Sequence, residues 1–296
     1  MTSTRRLREL LDGENPPLIL PGVPNALSAR VVEEAGFEAV YVSGAGVTNT
    51  YLGMPDLGLL TMTELVSHVA TMSDAVDIPL VVDADTGFGN ALNVQRTVRQ
   101  LERAGAAAIQ IEDQVSPKKC GHFAGKEVIT TAEMVGKIHA AVDSRTDEDL
   151  VIIARTDARA TYGIEAACER AVAYQEAGAD VLFVEAPQSV EELRYVTQQV
   201  PAHHIANMVE GGLTPLLSSQ ELADLGFTVG LYANAAMRGA VVGMRAVLEH
   251  LAKYGDTRSA EDLMIGWADR QSLVRKPEFD ELDRRYAADR EPEEGR

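Results

Sequence analysis

Cysteine is almost missing from this chain: Cys120 and Cys168 are the only two among 296 residues. That is too few for a disulfide framework, and their contexts differ so much that no bridge between them is expected. Positive charge is also scarce, with 27 Lys and Arg against 45 Asp and Glu and a net charge of −18. A chain this acidic is repelled by phosphate backbones and anionic lipid, so neither nucleic acid nor a membrane surface is an expected partner. Small anionic substrates stay open, because local cations or a metal reverse the sign inside a cleft. No apolar run approaches the roughly 20 residues that span a bilayer. The segment Met1 to Arg8 is polar and has no hydrophobic centre of a signal peptide. A reducing cytoplasm is the expected location.

What is present describes a globular protein with a sizeable core: 46% of residues are hydrophobic and 24% charged. The length allows one large α/β domain or two small ones. Apolar runs near 18–22, 38–43, 79–83, 107–112, 150–155, 181–185, 204–208 and 227–232 read as strands. Helical patterns fill most gaps, as at Asn93 to Ala104, Ala132 to Val142, Ile164 to Ala177 and Val190 to Gln199. Eight strands with intervening helices predict an α/β fold, a parallel (β/α)8 barrel of the TIM type. The glycines of Glu34-Ala35-Gly36-Phe37, Arg103-Ala104-Gly105-Ala106, Glu176-Ala177-Gly178-Ala179 and Asp224-Leu225-Gly226-Phe227 each fall between a helix and a strand. Each fits a helix terminator in the left-handed conformation, which a Cβ makes costly. After about residue 255 the strands stop. Glu261 to Ala268 and Glu278 to Ala287 look helical and Glu291 to Arg296 is a charged tail. The expected division is a catalytic barrel over 1–255 and a helical extension over 256–296, packed on the barrel or on a neighbouring subunit.

A parallel barrel carries its active site at the carboxyl ends of its strands. The expected ends are Ser43-Gly44, Asp83 with Asp85, Glu112-Asp113, Arg155 with Asp157, Glu185, and Asn207 with Glu210. Six apolar strands thus finish in groups able to do chemistry. Asp83 and Asp85 are two apart on an extended chain and face the same side. With Glu112 they make three converging carboxylates that repel one another unless a cation lies between them. All-oxygen ligation suits Mg²⁺, with Mn²⁺ as the alternative. The plainer reading is that Asp85 or Asp113 caps a following helix or turn.

The loop Pro117-Lys118-Lys119-Cys120-Gly121-His122 places a thiol among cations, which favours the thiolate. Cys120 there suits a nucleophile or a proton donor, and Gly121 and Gly125 suit a moving lid. A solvated basic loop with an incidental cysteine is the alternative. Cys168, in Ala167-Cys168-Glu169, reads as a small core residue. Arg155 matches either a substrate carboxylate in bidentate geometry or a structural ion pair with Glu112 or Glu185. His68, His139 and His250 fall on helical patterns and His203-His204 at a strand entrance, so only His122 is given a role.

Asp83-Ala84-Asp85-Thr86-Gly87-Phe88-Gly89, Glu112-Asp113-Gln114, Lys118-Lys119-Cys120-Gly121-His122 and Ala154-Arg155-Thr156-Asp157-Ala158 occur in that order. Together they closely resemble the isocitrate lyase and phosphoenolpyruvate mutase superfamily, as do Tyr41-Val42-Ser43-Gly44, Leu52-Gly53-Met54-Pro55-Asp56 and Ala206-Asn207-Met208-Val209-Glu210-Gly211-Gly212. The resemblance covers about residues 18 to 255. It implies a barrel whose last helix is swapped between subunits, usually in a homotetramer. It also implies Mg²⁺ held by Asp56, Asp83, Asp85 and Glu112, directly or through water. Ser43, Gly44 and Ala45 would bind the oxo-acid end of the substrate. Gly121, Arg155, Glu185, Asn207 and Thr214 would also serve it, and the Cys120 loop with His122 would be the mobile gate.

The cysteine loop marks the lyase branches, which cleave a carbon–carbon bond of a 2-hydroxy di- or tricarboxylate and release pyruvate or another 2-oxo acid. Cys120 would protonate the departing fragment, and Tyr41 matches a tyrosine assigned as base. Three departures bear on the substrate. The loop continues Gly121-His122-Phe123-Ala124-Gly125-Lys126 instead of the Gly-His-Arg-Pro-Asn-Lys of methylisocitrate lyases, and looks more like that of 2,3-dimethylmalate lyase, of the plant petal-death type of oxaloacetate and malate cleaver, and of carboxyphosphonoenolpyruvate mutase. The eighth strand ends in Tyr232-Ala233-Asn234-Ala235 instead of Tyr-Pro-Leu-Ser. The large insertions of isocitrate lyases are missing. The alternatives within the superfamily are a carboxyphosphonoenolpyruvate-type phosphonomutase and an oxaloacetate-cleaving hydrolase or decarboxylase; outside it, a non-catalytic oligomeric scaffold.

Overall fold

The computed structural model describes residues 1–13, 17–119, 121 and 125–287. Eight strands, β1 (Leu18–Val23), β2 (Val40–Val42), β3 (Leu80–Asp83), β4 (Ala106–Glu112), β5 (Val151–Thr156), β6 (Val181–Val184), β7 (His203–Asn207) and β8 (Val229–Tyr232), follow one another in space as in sequence. Every neighbour is parallel, and β8 pairs with β1 to close the barrel. This is a (β/α)8 TIM barrel.

The near-continuous apolar strands follow from burial on both faces. Val40, Val42, Leu80, Val82, Ile109, Ile111 and Ile152 pack outward against the helices. Tyr41, Val81, Ala108, Val151, Ile153, Val181, Phe183 and Leu231 fill the interior. The helix Ser3–Leu11 adds Leu7 and Leu11 to that inner cluster at the strands' amino ends, and Arg8 ties it down by donating to Asp180 Oδ1 at 3.0 Å. One end of the barrel is thereby filled, and chemistry is confined to the other.

The four helix-to-strand glycines behave as expected. Gly36, Gly105, Gly178 and Gly226 take φ of 85°, 99°, 101° and 88°, each just beyond a helix end. Cys168 lies buried on the helix Ile164–Glu176, where burial pushes its thiol up to about 11.

By its own contacts the chain forms two compact units, Met1–Arg238 and Gly239–Arg296. In the second, the expected helix over Glu261 to Ala268 is only a short 3-10 turn, Glu261–Leu263. Met264 is extended and Gly266 starts a separate helix, Trp267–Leu273; glycine there breaks the run that the apolar spacing suggested. A last helix follows at Lys276–Tyr286. Val242, Leu248, Trp267 and Phe279 of this unit are all exposed, and Ala260 is its only buried residue among those described. No helix among the described residues is long and apolar enough to cross a membrane.

Candidate active site

Strand pairing sets the geometry. The β3–β4 register puts Asp83 beside Gln110, and the β4–β5 register puts Glu112 beside Arg155. Tyr41, Ser43, Ala45, Asp56, Asp83, Glu112, Gly121, Arg155, Glu185 and Asn207 all line one cleft at the strands' carboxyl ends. Gly44 lies against its floor: its N–H donates to Asp83 Oδ2 at 3.3 Å, and a Cβ there would come within 3.0 Å of Asp83 Oδ2 and 3.1 Å of Asp85 Oδ1. Asp85 is buried just behind. Thr214 is buried but does not line the cleft. Cys120 and His122 lie outside the described residues.

Neither aspartate caps a helix. Asn90 caps the helix Ala91–Arg103, and Asp85 instead holds a left-handed backbone, φ 48°, with its carbonyl accepting from Glu112 N–H at 2.8 Å. A non-glycine residue in that region costs about 1–3 kcal/mol, strain typical of functional sites. Asp113 is a buried clamp that accepts from Thr156 Oγ1 at 2.7 Å, Tyr174 OH at 2.8 Å, Arg170 Nη1 at 3.1 Å and Asp157 N–H at 2.9 Å. Replacing it by Asn points an amide donor at donors and removes the charge opposite Arg170. Asp113→Asn is expected to lose about 3–5 kcal/mol of stability, read from urea unfolding; a midpoint equal to wild type would contradict the clamp.

The electrostatics are those of a crowded acid site. Lys118, one of the two loop lysines that the sequence set beside the thiol to favour its thiolate, enters it: Nζ lies 2.6 Å from Asp56 Oδ1 and 2.9 Å from Asp85 Oδ1. Burial pushes the Asp85 carboxyl up to about 7, against the pull of Lys118. Burial likewise raises Glu112 well above the carboxylate range. Burial works against the Lys118 ammonium, yet Asp85, Asp83, Glu112 and Asp56 outweigh it and hold the charge firmly.

Arg155 carries both expected ion pairs, to Glu112 Oε2 at 3.2 Å and Glu185 Oε2 at 3.6 Å, and a third that the sequence reading missed. Asp157 chelates it through Nε at 2.9 Å and Nη2 at 3.1 Å. Lys126 Nζ closes the far side of Asp157 at 2.6 Å and donates to Gly121 O at 2.6 Å. Gly121 packs so tightly on Arg155 and Glu185 that any Cβ would collide with both.

Burial, then Asp83, push the Tyr41 phenol well above its ordinary value. Its O–H donates to Gln110 Oε1 at 3.0 Å, and Gln110 Nε2 reaches Asp83 Oδ1 at 3.3 Å. Here the phenol is held as a donor, and acting as a base requires it first to give up that proton. Gln110 was also missed, though its place two residues before Glu112 on β4 gives the same-face signal that paired Asp83 with Asp85.

Two buried side-chain oxygens among the described residues, Glu112 Oε1 and Asn207 Oδ1, lack a partner, and a third, Asp85 Oδ1, meets only the Lys118 ammonium. All three sit at this end of the barrel. Leaving such groups unsatisfied costs about 1–3 kcal/mol each, so the site is built for a ligand that brings positive charge or hydrogen-bond donors. As the side chains stand, no three metal-binding residues among those described meet at one point; the Lys118 ammonium lies between Asp56 and Asp85. The donor set, hard carboxylate oxygens with Glu112 Oε1 left orphaned, fits a small divalent cation.

A closed (β/α)8 barrel with acids, an arginine and amides gathered at its strand ends defines an enzyme of the TIM-barrel class. The chain belongs to the phosphoenolpyruvate mutase/isocitrate lyase superfamily: the family described as phosphoenolpyruvate phosphomutase matches residues 7–252. It is 45% identical over 290 residues to 2,3-dimethylmalate lyase of Eubacterium barkeri, covering 98% of this chain and 100% of that protein. It is 44% identical over 277 residues to 2-methylisocitrate lyase of Aeropyrum pernix, covering 94% and 89%. Among solved structures it is similar to oxaloacetate acetylhydrolase in complex with the inhibitor 3,3-difluorooxalacetate, with a TM-score of 0.91, 33% identity and 96% of each chain covered.

Proposed function

We propose that this chain is a carbon–carbon bond lyase that cleaves a 2-hydroxy di- or tricarboxylate to pyruvate or another 2-oxo acid plus a carboxylate. The observation that carries this reading is the pair of orphaned buried oxygens, Glu112 Oε1 and Asn207 Oδ1, in a cleft that also holds Arg155 and amides able to grip an oxo acid. Relatives named as lyases of such acids support it.

In the reaction a base takes the proton of the substrate's C2 hydroxyl. The electron pair of the C2–C3 bond passes to C3, leaving a 2-oxo acid and the enediolate of a carboxylate, and C3 then takes up a proton. Ser43, Gly44 and Ala45 would hold the oxo-acid end, with Arg155 and Asn207 orienting the rest. Asn207 Oδ1, buried and unpartnered, suits the hydroxyl proton as an acceptor. Tyr41 is the proposed base, and Cys120 on its loop the proposed donor to C3, with His122 beside it. Glu185 fixes the Arg155 and Asn207 side chains, which it meets at 3.6 and 3.3 Å. Asp56, Asp83, Asp85 and Glu112 would hold Mg²⁺ (or Mn²⁺), which when bound stabilises developing oxyanion charge.

The exposed apolar face of the second unit supports a helix-swapped homotetramer, and the reading includes a cytoplasmic location. A coupled 2-oxo-acid assay over 2-methylisocitrate, 2,3-dimethylmalate, citramalate and oxaloacetate tests the function. Mg²⁺-dependent release of a 2-oxo acid from at least one 2-hydroxy acid is expected. No turnover of any would overturn the lyase reading, and cleavage of oxaloacetate alone would replace it by a hydrolase like the structural neighbour.

A further inference from the structure

The end of β8 carries a side chain for which neither the strand pattern nor the resemblance gives a role. Gly22 lets β1 run so close to the Ala233 carbonyl that any Cβ would collide with it, which fixes the segment just past Tyr232. Asn234, next in sequence, lines the cleft. Ser43 Oγ accepts from Gly46 N–H at 3.1 Å and donates to Asn234 Oδ1 at 3.2 Å. With its oxygen committed to Ser43, the carboxamide turns its NH₂ away from that hydroxyl, and this nitrogen makes no hydrogen bond among the described residues. Val209, Leu231, Ala233 and Asn207 line the same cleft.

Charge elsewhere in the cleft is already spoken for. The two buried cations that line it, Lys118 and Arg155, are each matched to two or more carboxylates. Lys119 is exposed, with its ammonium donating to Gly125 O at 2.7 Å.

We propose that Asn234 is a further substrate-binding residue: its carboxamide donates to a carboxylate oxygen at the oxo-acid end of the substrate, beside Ser43. This rests on the lyase reading and deepens it. Losing such a donor–acceptor contact strands a polar group in the closed complex and so weakens substrate binding.

The test compares wild type, Asn234→Leu and Asn234→Asp on 2,3-dimethylmalate and 2-methylisocitrate with Mg²⁺ present. Asn234→Leu should raise KM for whichever acid is cleaved by about 10- to 100-fold with a smaller change in kcat. Asn234→Asp, which puts a negative charge beside the bound carboxylate, should lose more than Asn234→Leu. Equal KM values in wild type and Asn234→Leu would overturn the proposal. Should wild type cleave neither acid, the lyase reading fails separately, and the Asn234 contact is read by calorimetry with pyruvate and Mg²⁺. Weaker binding by Asn234→Leu than by wild type then supports the contact; equal affinity, or no binding by either, overturns it.

Discussion

Cys120→Ser is expected to lower kcat by about 10²–10⁴-fold, the contribution of a positioned proton donor, while KM changes little. The hydroxyl keeps the size of the thiol but is a far weaker acid, so it cannot hand its proton to the carbanionic C3 at a useful rate. The lost interaction belongs to the transition state and not to ground-state binding, which is why kcat and kcat/KM should fall together. Because serine differs from cysteine only by oxygen for sulfur, the variant should melt with wild type. Steady-state kinetics on whichever acid the panel selects provides the check; near-wild-type turnover would remove Cys120 from the mechanism.

Asp83→Ala should cost about 10³-fold or more in metal-dependent turnover, the scale of losing a group that stabilises transition-state charge. Asp83 does more than offer an oxygen. Its Oδ1 accepts from Asp85 N–H at 3.2 Å and Gln110 Nε2 at 3.3 Å, and its Oδ2 accepts from Gly44 N–H at 3.3 Å. One carboxylate therefore orients the left-handed Asp85, the amide that receives the Tyr41 hydroxyl, and the backbone beside Ser43. Asp83→Asn keeps the volume and separates the two functions. If orientation alone matters, the amide variant should retain a large part of the activity; if the charge is needed to hold a cation, it should be as inactive as the alanine.

The barrel was legible in the sequence because its determinants are local and repeated. Runs such as Leu80-Val81-Val82 and Val151-Ile152-Ile153-Ala154 are apolar on both faces, and Gly36, Gly105, Gly178 and Gly226 mark the turns between helix and strand. The strand ends were legible for the same reason: a charge after an uninterrupted apolar run is conspicuous, and Asp83, Glu112 and Arg155 do gather in one cleft. What escaped was set by tertiary geometry. Lys118 and Lys119 are alike in sequence, yet one ammonium turns into the acids and the other to the Gly125 carbonyl. Asp157 chelates an arginine two residues away only because β5 ends where it does. Asp113 read as a cap because its four partners come from two segments more than 40 residues further along the chain, the end of β5 and the helix Ile164–Glu176. The 3-10 turn at Glu261–Leu263 escaped because apolar spacing says nothing of where Gly266 interrupts it.

The central claim is that Asp56, Asp83, Asp85 and Glu112 together hold a divalent cation in competition with the Lys118 ammonium. Calorimetric titration of Mg²⁺ into wild type and Asp83→Ala, at neutral pH with no substrate present, tests it most directly. Saturable binding of one Mg²⁺ per chain to wild type and none to the variant is the predicted result. Equal affinity in the two proteins would contradict the account.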